Sequence, residues 1–338
     1  MKKKRRKSCK SRKIIIILFL CVVISLEIAY SAFETNINVN VKGNIKKVKI
    51  SKYLKTKVTI SGDGLYKDST EENRYIYKGT NPDNYTRFGN DLWRIVTIES
   101  DDTIEIMRND SIGQFAFDIR TTTTTGPRLN SANTYCGFYP SGYYHGCNAW
   151  GALSTEFVNG TQTGTVTENA SLTTYLNNEY LNTINTTSII SKTYYFGGVL
   201  YPDSSNVLNI NEVITKEKKY TWNGFVGLLN LSDYIKSSLD ISCTTLYSAR
   251  IEGGSHCKNQ NYLNKNVYYW LIDPWSNSIA DVWTVRENGT VGGAGIDYDS
   301  SVLQHVATTR NVFPVVYLSK DTVINGSGTQ DEPYSIVN

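Results

Sequence analysis

Histidine is nearly missing from this chain of 338 residues: three occur, at His145, His256 and His305. No H-E-x-x-H zinc helix can be built from them, and the chain also lacks any C-x-x-C pair or G-x-S-x-G nucleophile turn. Ser255 stands beside His256, but sequence neighbours seldom have triad geometry. The adjacent acids Asp101-Asp102 and Asp331-Glu332 fall in turn signals, where Asp serves the backbone. These gaps exclude the familiar protease and esterase signatures, so the chain is read as not an enzyme. A glycosidase built on distant carboxylates leaves no local signature and stands as the lesser alternative. Proline is also scarce, and no Pro- or Gly-rich stretch interrupts residues 58–338, which therefore read as one domain.

Long apolar runs are absent with one exception. Ile14 to Leu26 is apolar apart from Ser25, and nine Lys or Arg with no acid precede it. A basic flank ahead of an apolar core sends the rest of the chain outward. This run suits a signal-peptide core, and Ala29-Tyr30-Ser31 offers a small-x-small cleavage site. Extended past Glu27 to Phe33 it reaches about 20 residues, enough for a membrane helix. The chain is thus expected to have a basic cytoplasmic tail over 1–13 and an anchor, or a cleaved signal, over 14–33. That makes it a single-pass protein of the cell membrane with its C-terminal part outside. Residues 34–57 read as a basic juxtamembrane linker, because 42–57 hold seven Lys and no acid. Such a run can rest on anionic headgroups or wall polymers, or be simply solvated. Residues 58–338 carry 19 Lys and Arg against 29 Asp and Glu. An acidic, exported domain excludes nucleic acid as a partner.

Four of the six cysteines are exported, at short separations: Cys136 with Cys147 and Cys243 with Cys257. In an oxidising compartment this spacing reads as two local disulfides. His145, two residues before Cys147, and His256, next to Cys257, raise a zinc alternative, but the loops offer no further ligand, so no metal and no cofactor is expected.

The domain reads as strand-rich α+β. Leu92 to Asn109 alternates apolar and polar residues on both sides of Glu99–Asp102, the pattern of a hairpin. "SLTTYLNNEYL" carries helical spacing with Ser171 or Asn169 as candidate cap. "FVGLL" reads as a buried strand with a short helix from Ser232, "VFPVVYL" as a last strand, and residues 319–336 as a turn-rich tail. "VWTVRENGTV" reads as two strands about Asn288-Gly289.

The segments "SGDGLYKDSTEENRYIYKGTNPDNYTRFGNDLWRI", "SLTTYLNNEYL", "GLLNLSDY", "YYWLIDPWSNS" and "FPVVYLSKDTVINGSGTQDEPY" together resemble a family of Firmicutes surface proteins carrying a domain of unknown function. The resemblance covers about residues 58–338. Two landmarks differ: Ile272-Asp273 replaces Arg-Ser, and Phe313 replaces the Arg before Pro314. A mid-chain helix, a Trp-Leu strand and a final Pro-Val strand also resemble the C-type lectin-like fold, although its sugar-site calcium motif is absent. The resemblance implies a surface protein and is silent on chemistry.

Trp270 and Trp283 read as core aromatics. The loop Asp273-Pro-Trp275-Ser-Asn277 is the candidate ligand site, with Asp273, Trp275 and Asn277 offering polar and aromatic contacts. The expected function is a membrane-tethered extracytoplasmic binding or adhesion module for carbohydrate, wall polymer or protein, with a structural envelope component as alternative. Its partners are then the membrane, through the N-terminal helix, and an envelope glycan or surface protein.

Overall fold

The alternation around Glu99–Asp102 does close a hairpin, and that hairpin is the spine of the largest sheet. The computed structural model describes residues 49–337 apart from 119–146, 160–161, 165, 185, 201, 203, 206, 252, 277–280 and 296–308. The chain divides into two units, Met1–Lys46 and Lys47–Asn338, and every described residue belongs to the second. The candidate anchor over 14–33 lies outside the described residues, among which no helix is long and apolar enough to cross a membrane.

Strands β1 (Gly64–Lys67), β2 (Tyr75–Lys78), β3 (Tyr85–Phe88), β4 (Asp91–Ile98) and β5 (Ile104–Arg108) enter the first sheet. β6 (Gln114–Ala116) leaves it for a second sheet, and β7 (Phe157–Asn159) pairs with β8 (Gln162–Gly164). β9 (Ile189–Ile190) returns to the first sheet, β10 (Lys192–Tyr195) pairs with β11 (Thr221–Gly224), and β12 (Val226–Gly227) rejoins the first sheet. β13 (Tyr269–Pro274), β14 (Asp281–Val285), β15 (Val291–Gly295) and β16 (Thr309–Asn311) complete the second sheet, ordered β15-β14-β13-β16-β6. β17 (Val315–Leu318), β18 (Val323–Asn325) and β19 (Tyr334–Val337) complete the first, whose path is β12-β17-β5-β4-β3-β19-β18. The class is strand-rich α+β, with short helices.

Two strands fork the large sheet. β4 pairs with β3 through Asp91–Arg94 and with β2 through Thr97 and Ile98. β17 pairs with β12 through Val315 and Val316 and with β9 through Tyr317 and Leu318. In β4 the register to β5 shifts at Val96, since Ile95 faces Ile106 while Thr97 faces Glu105. Such a bulge bends the strand and re-aims the side chains beyond it.

The core is aromatic. Trp93, Trp150, Trp270 and Trp283 are all buried, as expected for the second pair, and Phe117 meets the edges of Trp150 and Trp270 at 5.6 and 5.8 Å. Trp270 Nε1 donates to the Phe115 carbonyl at 2.9 Å, so its one polar atom is satisfied inside. The helix Ser171–Asn178 forms where its spacing predicts, but neither expected cap is used. Asp118, distant in sequence, accepts from the Ser171 N–H at 2.9 Å, while Asn169 accepts from Ala152 N–H and Trp222 Nε1.

The basic linker ends earlier than its composition suggests. Residues Ile50–Lys55 form a helix whose Ile50 and Leu54 are fully buried, and Ile50 N–H donates to the Thr322 carbonyl at 2.9 Å. The turn-rich tail is also more regular than expected: β18 and β19 form an antiparallel pair, and β19 lies parallel to β3. Cys243 and Cys257 form a disulfide, with Cα atoms 4.8 Å apart. The other expected pairing involves Cys136, which lies outside the described residues; Cys147 is buried.

Candidate functional site

One face of the forked sheet turns polar where β2, β4, β5 and β17 adjoin. Register sets Ile76 against Thr97, Thr97 against Glu105, and Glu105 against Tyr317. Side chains two apart on a strand share a face, so Arg74, just ahead of β2, projects with Ile76 toward the same region. Opposite stand the β10–β11 pair and the helices Ile210–Glu217 and Leu231–Lys236. Between these elements lies a cleft of about 450 Å3.

Arg74 is the hub of its wall. Its Nη1 donates to Asp68 at 2.7 Å, its Nε to Glu99 at 3.1 Å and its Nη2 to Asp233 at 2.8 Å, with Glu105 at 3.9 Å. Burial alone would favour the neutral form. The surrounding carboxylates of Asp233, Glu99, Glu105 and Asp68 outweigh it and hold the guanidinium well above its ordinary value. Lys236 adds contacts to Asp68 at 2.8 Å and Asp233 at 3.5 Å. Burial pushes the Asp68 carboxyl upward, but Lys236 and Arg74 overcome that and keep it well below the usual range.

Glu105 behaves oppositely. Burial raises its pKa to about 8, helped by the negative charges of Asp233 and Glu99. Thr97 Oγ1 lies 2.9 Å from Glu105 Oε2 and also contacts Glu99 Oε1. A hydroxyl has one hydrogen to donate. At neutral pH the protonated Glu105 therefore donates to Thr97, which donates to Glu99.

The opposite wall is set by the Ile210–Glu217 helix. Its N-terminus is a capping box, with Asn209 Oδ1 accepting from Glu212 N–H at 3.1 Å and Glu212 accepting from Asn209 N–H at 2.8 Å. Its C-terminal turn lies on Gly197, whose N–H donates to the Glu217 carbonyl at 2.7 Å. A Cβ on Gly197 would stand 1.8 Å from the Lys216 carbonyl oxygen, so only glycine permits this approach. Glu217 Oε1 then accepts from Ser232 N–H at 2.8 Å, at the start of the Leu231–Lys236 helix. Burial pushes the Glu217 carboxyl up to about 7, against the Ser232 hydrogen bond and with the Asp233 charge.

Of the three sequence-derived site residues, Asp273 is placed differently from expectation and Trp275 is partly exposed, as expected. β13 runs through Pro274, so Asp273 is on a strand and not a loop, and it is fully buried. Its carboxyl accepts from Asn230 Nδ2 at 3.0 Å and from Leu231 N–H at 2.7 Å. Burial and the neighbouring Glu217 raise its pKa well above the usual carboxyl range. Asp273 thus sits one layer behind the cleft and positions Asn230, which lines it. Trp275 is half-buried: its N–H donates to the Asp281 carbonyl at 2.9 Å, and its ring fills the space beside Gly293 where a Cβ would fall 2.3 Å from Cε3. Asn277 lies outside the described residues.

Arg74, Glu105, Asp233 and Glu217 escaped the sequence-based reading. The Asn209-x-x-Glu212 box was a usable signal for the helix that carries Glu217. No local signal announces the other three, because Arg74 and Asp233 are 159 residues apart. Among the described residues, no group of three or more His, Cys, Asp or Glu is arranged to hold a metal ion. No protein-family model, curated protein or solved structure matches the chain.

Proposed function

We propose that the protein is a membrane-tethered, extracytoplasmic binding module of C-type lectin-like type, non-catalytic, and that the cleft seats a glycan of the envelope. One observation carries the reading: the cleft gathers amides (Asn223, Asn230), hydroxyls (Ser100, Thr193) and the tyrosines Tyr195 and Tyr317 in a ligand-sized space. Polyols are recognised by such convergent donors and acceptors beside aromatic rings. The carboxylates of the Arg74 wall are held in ion pairs or hydrogen bonds, which suits fixed recognition better than proton transfer to a substrate. The export reading rests on the basic and apolar N-terminal run and its expected anchor over 14–33.

The test is a glycan array probed with the full chain and with Ser100→Trp. Ser100 is exposed at the cleft's mouth, so an indole there should block glycan retention without lowering the melting temperature. Retention by Ser100→Trp would put the seat elsewhere, and no retention by the wild type would remove the reading. The tether is tested by washing membranes with salt, which should leave the protein bound. A released species beginning near Ala32 would instead show a cleaved signal.

A further inference from the structure

We propose that Glu217 is the specificity-determining residue of this cleft and seats a primary ammonium group, so that a glycan with a free amine is preferred over its N-acetylated form. The inference rests on the cleft being the glycan seat. It comes from a mismatch in the cleft's ion pairing. Glu71 pairs with Lys218 at 3.1 Å, Asp101 with Lys192, Glu99 with Arg74, and Asp233 with Arg74 and Lys236. Glu217 lines the same cleft, is only 3 % exposed, and has no Lys or Arg within 4.0 Å among the described residues. Its hydrogen-bond partners are the Ser232 N–H at 2.8 Å and the Ser232 hydroxyl, both neutral donors.

A buried carboxyl without a counter-ion is costly when ionised, so it either holds a proton or receives a cation. The groups around it cannot supply that cation. Lys218, next along the chain, is engaged by Glu71; Lys236, on the facing helix, by Asp68 and Asp233. Asp233 on that helix is itself acidic and deepens the negative field at Glu217, and the charge of Lys236 offsets this only in part. An alkylammonium is compact and brings up to three donors, which matches a carboxyl at the wall of a cleft whose planar cation site is already taken by Arg74. Its arrival displaces the proton that Glu217 holds near pH 7.

The experiment is calorimetric titration of the full chain at pH 6, where the sugar amine is an ammonium ion and Glu217 is protonated, with a glucosamine oligomer and with its N-acetylated counterpart. The amine oligomer should bind about tenfold or more tightly, the ratio expected for one hydrogen-bonded charge pair. Repeating the titration in two buffers of different ionisation enthalpy should show proton release for the amine oligomer alone. Glu217→Gln keeps an acceptor for Ser232 N–H and should abolish both the preference and the proton release, leaving the acetylated oligomer unchanged. Equal binding of both oligomers by the wild type, or a preference that survives in Glu217→Gln, overturns the inference while leaving the glycan cleft intact. If neither oligomer binds, the cleft reading and the inference fall together. Should Glu217→Gln misfold, proton release by the wild type decides alone.

Discussion

Two buried arginines flank the same forked sheet and are solved in opposite ways. Arg74 reaches three carboxylates and the Glu105 carboxyl, whereas Arg94 on β4 reaches none: its guanidinium lies 3.6 Å from the Tyr85 ring centre and 4.8 Å from that of Tyr262. Arg94 Nε donates to Asn84 Oδ1, and its Nη2 donates to the Pro82 carbonyl at 3.2 Å. Burial lowers the pKa of Arg94, and the tyrosines and the more distant Asp63 and Asp83 only partly offset this. Aromatic faces and neutral acceptors can hold a guanidinium in place, but they leave no charge behind when it goes. Carboxylates do, so the Arg74 wall is stable only as a complete set. That difference separates a cleft-facing network from a structural clamp between β3 and β4.

The largest expected effect follows. Arg74→Met should cost about 3 to 5 kcal/mol, because Asp68, Glu99 and Asp233 lose a shared cation in a buried site. The shift of the urea midpoint at constant slope measures it. A loss below about 1 kcal/mol would mean that the wall is hydrated and the contrast with Arg94 is false. Adding Asp233→Asn to Arg74→Met should recover part of the loss, since the pair at 2.8 Å is then removed as a unit. Strict additivity of the two changes would break the network description.

Arg94→Met should cost less, about 2 kcal/mol, the sum of a desolvated cation–π contact and one buried acceptor, Asn84 Oδ1, left without a donor, since the Pro82 carbonyl still accepts from the Asn84 N–H at 2.8 Å. Asn84 keeps its other bonds, donating to and accepting from the Ile95 backbone, so the turn has a second hold. A cost equal to that of Arg74→Met would show that aromatic stacking is worth as much as ion pairing in this sheet.

This comparison also marks the limit of what could be read from sequence. The hairpin about Glu99–Asp102, the Ser171–Asn178 helix, the Asn288-Gly289 turn and the buried Trp270 all follow from local periodicity or turn chemistry, and each is present. Glu105 defeats the same logic. Between Ile104 and Ile106 it looks like the solvated face of a half-buried strand, yet it is buried, with Thr97 at 2.9 Å and Arg74 at 3.9 Å. Asp273 fails for a related reason: a polar residue before Pro suggests a loop, while here a helix start 42 residues earlier claims its carboxyl. Pairings of that sequence separation leave no periodic trace.

The smallest effect concerns protons and separates the two regions most finely. Glu105 ordinarily ionises near 4.5 but is held to about 8 in the fold, chiefly by burial. Between those values the folded chain binds more protons than the unfolded one, so stability declines as pH rises through this window. Glu217, held near 7, contributes a decline of the same sign that ends about one pH unit lower. Asp68 has the opposite sign: its contribution is present above the ordinary Asp value of 3.8 and is lost as pH falls below it. Glu105→Gln copies the protonated side chain and can donate to Thr97, so below the ordinary Glu value of 4.5, where Glu105 is protonated folded or unfolded, it should change stability by less than about 0.5 kcal/mol. Above pH 8 the variant should be more stable than wild type, and its remaining decline should stop near pH 7, where Glu217 finishes titrating. Arg94→Met should leave the slope between pH 4.5 and 8 unaltered, because none of its contacts is a carboxyl. Denaturant midpoints collected across this range decide the matter: if Glu105→Gln leaves the slope unchanged as well, the proton does not reside on Glu105, and the donation from Glu105 through Thr97 to Glu99 runs the other way.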